Sequence, residues 1–198
     1  MRASAVAAVM LLWAHGATAG QAAVDGLVFS DELGGFRITG ATGSGSLDDP
    51  FVVAEDVTGP GAAVLVIRGL TPDFGNRVGT LHPVGFALRK VITNRTRAAW
   101  SYLEIELQER LGVASDRLDG LSFGQGATAG RPFHADRFAT TIETDEPVDS
   151  VTFEGGLLRP GETVTLEVVI TDTSPLPAFF LVQRLARPIA RAEPEGRP

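Results

Sequence analysis

Along much of this chain an apolar residue recurs at every second position, most cleanly at residues 163–171, Thr-Val-Thr-Leu-Glu-Val-Val-Ile-Thr. Val164, Leu166, Val168 and Ile170 fall on one side, and Thr163, Thr165, Glu167 and Thr171 on the other. A period of two is that of a β-strand with one buried face. Short runs rich in Val, Ile, Leu, Phe and Thr at 36–39, 51–57, 63–68, 85–94, 138–143, 148–153 and 178–184 predict further strands. Glycines and prolines punctuate them throughout. Arg159-Pro-Gly-Glu162 reads as a turn, with Pro fixing φ and Gly free to take positive φ. Residues 148–153 and 163–171 on either side of it form a hairpin or a sheet corner.

Residues 99–110 fit two periods. Trp100, Leu103 and Leu107 would share one face of a helix. Leu103, Ile105 and Leu107 also alternate with Glu104, Glu106 and Gln108, as in a strand. The turn-like Asn94-Arg-Thr-Arg97 just before them favours the strand, joined to 85–94 as an antiparallel hairpin. Two stretches lack periodicity: a Gly/Ser loop at 40–50 and a long, glycine-rich excursion at 109–137. The pattern predicts an all-β, antiparallel β-sandwich with one long irregular loop.

The run 151–170, a strand, a turn ending in Pro-Gly and a Thr/Val-alternating strand, resembles the penultimate hairpin of immunoglobulin-like or fibronectin-like modules in exported bacterial proteins. The resemblance covers that run alone. It implies an immunoglobulin-like topology and a role in adhesion, assembly or ligand binding. The chain departs from antibody domains in having no cysteine.

The N-terminus changes the picture of where the protein works. Arg2, the apolar run 5–14 and the small-x-small triplet Ala17-Thr-Ala19 form the pattern of a secretory signal peptide cleaved after Ala19. The run is about half of the ~20 residues that span a bilayer, so no membrane span is expected. The expected organisation is a signal peptide at 1–19, a sandwich domain at 20–186 and a polar, proline-rich disordered tail at 187–198, with the protein in the periplasm or the extracellular medium. A net charge of −7 argues against nucleic-acid binding. Without cysteine, thiol nucleophiles, iron–sulfur clusters and cysteine-bound zinc are excluded.

Gly120-Leu-Ser-Phe-Gly124 matches the spacing of a hydrolase nucleophile elbow around Ser122. The polar residues before it do not suit a core strand, and the glycines after it do not suit a helix. His134 follows the serine, but no acid lies between them and no histidine follows, so the α/β-hydrolase order is absent. His82 and His134 lack metal-ligand spacing. Asp48, Asp49, Asp116 and Asp119 put carboxylates into turns, where calcium is the metal they would suit. Their spacing matches no calcium loop, and turn formation accounts for them. No metal, cofactor or catalytic group is expected.

Glu104 and Glu106, about 7 Å apart by strand rise, read as a solvated face rather than a glycosidase pair. Trp100 and Tyr102 would share that outward face and could contact a glycan or protein partner. In the 109–137 excursion, some of Leu118, Leu121, Phe123 and Phe133 would anchor the loop and present Gln125, Arg131 and His134. The function these residues suggest is an exported, non-catalytic binding or assembly module. The alternative is a carbohydrate-active or other hydrolase.

Overall fold

Each apolar alternation needs a second apolar surface to cover it, and two stacked sheets provide one for the other. The computed structural model describes residues 20–116, 118–124, 133–144 and 147–185. The first sheet contains β1 (Gln21–Val24), β2 (Leu27–Ser30), β5 (Ala63–Arg68), β13 (Ala178–Arg184), β7 (Trp100–Gln108), β11 (Ser150–Leu158) and β10 (Thr140–Thr144), in that spatial order. The second contains β3 (Phe36–Thr42), β4 (Phe51–Val57), β6 (Val84–Asn94), β12 (Thr163–Asp172) and β8 (Leu121–Phe123). β9 (His134–Ala135) lies beside β12 at Leu166 and Glu167, following β8 along one side of that strand.

The core lies between the sheets. From β4, β6 and β12 it takes Phe51, Val53, Phe86, Leu88, Val164, Leu166, Val168 and Ile170. Across from them lie Leu65, Ile67, Leu103, Ile105, Leu107, Phe153, Phe179 and Leu181. Phe29, Phe51, Phe86 and Phe179 form a chain of edge-on and tilted ring contacts through this layer, with centroids 5.5–6.5 Å apart. A single turn of 3-10 helix at Pro72–Phe74 sets Phe74 against Phe51 and Phe86. The segment around it also covers a small apolar cluster, Val78, Ala87 and Val169, on the outer face of β6 and β12.

All-β character and two packed sheets agree with the sequence, and 99–110 is a strand. Several expectations are corrected. The strand at 85–94 does not form a hairpin with 99–110. Both sides of β6 are taken by β4 and β12, and both sides of β7 by β13 and β11, so the Asn94–Arg97 connection crosses between sheets. Of the two forms expected for the turn at Arg159–Glu162, the sheet corner is the one present, since it links β11 in one sheet to β12 in the other. The second sheet is mixed, not wholly antiparallel. β5 sits in the opposite sheet, so β4 and β6 reach each other by a crossover and pair in parallel. The 109–137 excursion is only partly irregular, since β8 and β9 dock on the side of β12 that β6 leaves open. Phe123 and Ala135 enter the core, while Leu118 is 92% exposed and anchors nothing.

Candidate functional site

Three strands break their inward apolar rhythm with a polar residue at the same depth. In β4 the inward series is Phe51, Val53, Glu55, Val57; in β6 it is Phe86, Leu88, Lys90, Ile92; in β13 it is Phe179, Leu181, Gln183. Glu55 and Lys90 are each 1% exposed, and Gln183 is 0% exposed. The Lys90 Nζ lies 3.1 Å from Glu55 Oε2 and donates to Gln183 Oε1 at 2.9 Å, bridging the two sheets. Burial pushes the Glu55 carboxyl up from its ordinary value, opposed by the Lys90 charge and by side-chain hydrogen bonding to Lys90 and Gln183. The Phe36 ring lies 5.9 Å from Nζ. Neither Glu55 oxygen gains a well-directed hydrogen bond, and neither does Gln183 Nε2. This is a buried, under-bonded polar triad inside an apolar core.

A second feature sits at the end of the sandwich where β4, β6 and β13 finish and β7 begins. Thr58, Pro60, Arg95, Thr96, Arg97, Ala98, Ala99, Trp100 and Leu185 line a groove of about 570 Å3. Asn94 shapes it by turning the chain sharply. Its amide donates to the Ala98 and Leu158 carbonyls, and its side-chain oxygen accepts from the Thr96 N–H and Oγ1. Arg95 is held by Asp56 at 3.1 Å. Arg97 is exposed at the rim and forms no ion pair with the described residues.

The five residues expected to contact a partner do not form one patch. Trp100 does not share the outward face of Tyr102. It is 3% exposed, packs in the core and donates its indole N–H to Thr96 Oγ1, so it reaches the surface only in the groove. The pairing is irregular at this end: Tyr102 pairs with Glu154 but Trp100 with Leu158, so β11 has two extra residues here, and both Trp100 and Leu158 are buried. Tyr102 stays on the outer face of the first sheet and donates to Glu104. His134 is exposed on the outer face of the second sheet, on the opposite side of the molecule from Tyr102. Gln125 and Arg131 lie outside the described residues.

Glu104 and Glu106 are not a solvated face. Arg184 from the adjacent strand contacts Glu104 at 2.9 Å and Glu106 at 2.5 Å, and Glu106 is buried. These carboxylates, Glu106 first, hold the Arg184 guanidinium above its ordinary value. Ser122 is buried in β8 opposite Thr171. Asp116 and Asp119 accept the backbone N–H groups of Leu118 and Leu121, and Asp49 is fixed through its own N–H by Ser46. Among the described residues no group of three or more acids and histidines is arranged to hold a metal ion.

The fold and these sites define a two-sheet all-β protein with a polar bridge across its core and a basic-rimmed groove at one end. No protein-family model matches the chain, and no curated sequence or solved structure is significantly similar to it.

Proposed function

We propose that this protein is an exported, non-catalytic binding or assembly module, an immunoglobulin-like sandwich that receives its partner in the groove at one end. The observation that carries this reading is the groove's chemistry. Trp100, Ala98, Ala99 and Leu185 supply apolar surface, and Arg97 stands at the rim as a cation with no ion pair to the described residues. Loops at the end of a two-sheet scaffold are where binding residues concentrate, because the sheets hold them rigidly. Such a site suits a peptide segment that pairs an apolar side chain with a carboxylate. The cross-sheet arch through Arg159–Glu162 supports the immunoglobulin-like reading, and the Arg2, 5–14 and Ala17-Thr-Ala19 pattern supports export.

Panning a displayed random-peptide library against the folded protein tests this. Enriched peptides should place Asp or Glu within a few residues of a large apolar side chain. Arg97→Glu, which replaces an exposed residue, should weaken them about tenfold or more. Enriched peptides that bind the variant equally well would rule out the groove as the site.

A further inference from the structure

Lys90 is the only lysine among the 17 basic residues of the chain, and it is buried at the centre of the sandwich. A lone lysine kept from solvent, touching a buried carboxylate and a buried carboxamide, is an expensive arrangement if it only fills space. An apolar trio would pack at lower cost, and a structural ion pair of this depth is normally hydrogen-bonded to completion. Here Glu55 Oε1, Glu55 Oε2 and Gln183 Nε2 gain no well-directed hydrogen bond, although Lys90 Nζ lies 3.1 Å from Glu55 Oε2.

The same geometry brings an amine, a carboxamide and a carboxyl group together in one buried cluster. We propose that the folded chain joins Lys90 to Gln183 through an intramolecular isopeptide bond, with Glu55 as the acid–base group. Lys90 Nζ already lies 2.9 Å from Gln183 Oε1, and Cδ is one carbonyl bond, about 1.23 Å, beyond that oxygen. The Lys90 ammonium passes a proton to the Glu55 carboxylate 3.1 Å away, leaving a neutral amine beside a neutral acid. Burial pushes the Glu55 carboxyl toward its protonated form, the direction this transfer requires.

The Nζ lone pair then forms the Nζ–Cδ bond while Glu55 stabilises the developing oxyanion. As the tetrahedral centre collapses, the Cδ–Nε2 bond breaks. Nε2 carries two hydrogens of its own, takes a third that Glu55 relays from Nζ, and then receives the proton that Glu55 first took from the ammonium, so it departs as ammonium and Glu55 returns to the carboxylate. One amide is broken and one is made, with no oxidant, reductant or outside reagent. The flanking inward residues Val53, Val57, Leu88, Ile92 and Leu181 are buried, which disfavours competing attack by water. The leaving group is Gln183 Nε2, which gains no well-directed hydrogen bond from the described residues. The product ties a central strand of one sheet to a central strand of the other.

The test is a tryptic map of the full chain purified in its folded state. Trypsin should release residues 90–95 joined to the fragment ending at Arg184, about 17 Da lighter than the two peptides summed. Lys90 is also the only side-chain amine, so reductive dimethylation after unfolding should label the amino terminus and leave position 90 unlabelled. In Glu55→Gln or Lys90→Arg the joined peptide should vanish. The wild-type map decides the question even if those variants fold poorly. Complete dimethylation of Lys90 in the wild type, with separate peptides, would overturn the proposal. A joined peptide that persists in Glu55→Gln would overturn the role given to Glu55.

Discussion

Asp172 ends β12 with its side chain turned into a crowded acidic corner near Asp119 and Glu109. Desolvation, and then the Asp119 charge, raise its carboxyl above the ordinary 3.8, while the Ser174 and Thr173 N–H groups work the other way. A carboxyl raised in the folded state binds its proton more tightly there than in the unfolded chain. The fold therefore loses stability as pH climbs from the ordinary carboxylate range through the raised value. Asp172→Asn keeps an oxygen for the Ser174 N–H, 2.8 Å away, and removes the charge. Unfolding midpoints in denaturant should rise for this variant at pH 7, and the gain should shrink to nothing toward pH 3–4. A variant less stable than the parent at pH 7 would contradict the assignment. The polar triad was missed in the sequence although each member left a trace: Glu55, Lys90 and Gln183 interrupt the apolar side of three alternating strands, and Lys90 is the sole lysine. Sequence reading weighed clusters along the chain, and these three become neighbours only in space.

At the scale of elements, the β11–β7 bulge decides what the sandwich end looks like. Gly155 takes φ 76°, and at Gly156 an added Cβ would lie 1.9 Å from the Arg137 carbonyl oxygen, so backbone meets backbone there. Gly156→Ala should cost about 1–3 kcal/mol in equilibrium unfolding and shift the Trp100 fluorescence, because Gly156 lies in the irregular β11 segment that ends where Leu158 pairs with the buried Trp100. An alanine variant with unchanged stability and spectrum would show that the strand accommodates a side chain there. Strand positions followed from periodicity because burial enforces it. β4, β5 and β13 lie at 51–57, 63–68 and 178–184, the same bounds that their patterns predict. β1, β2, β8 and β9 are too short to show a period; neighbours, not their own sequence, make them strands. Pairing was illegible for the same reason, since a turn such as Asn94–Arg97 has similar chemistry whether it closes a hairpin or crosses between sheets.

For the whole molecule, a bond between Lys90 and Gln183 would close a loop spanning 93 positions. Chain-entropy reasoning gives such a closure about 4–5 kcal/mol of stability, acting mainly by shrinking the unfolded ensemble. The linked chain in strong denaturant should therefore have a smaller radius of gyration by X-ray scattering than Lys90→Arg, with which no such bond can form. Equal radii would mean that the unfolded chain is unconstrained. The sequence by itself determined the strand alternation, the all-β class and the lack of any thiol chemistry, because these depend on residue type and local period. Only the tertiary structure decided which strands pair, that Trp100 lies beneath a groove instead of on an open face, that Arg184 draws Glu104 and Glu106 together, and that Glu55, Lys90 and Gln183 meet. Each of these is a contact between residues distant in sequence, set by how two sheets share one core, and local pattern carries no record of the partner across it.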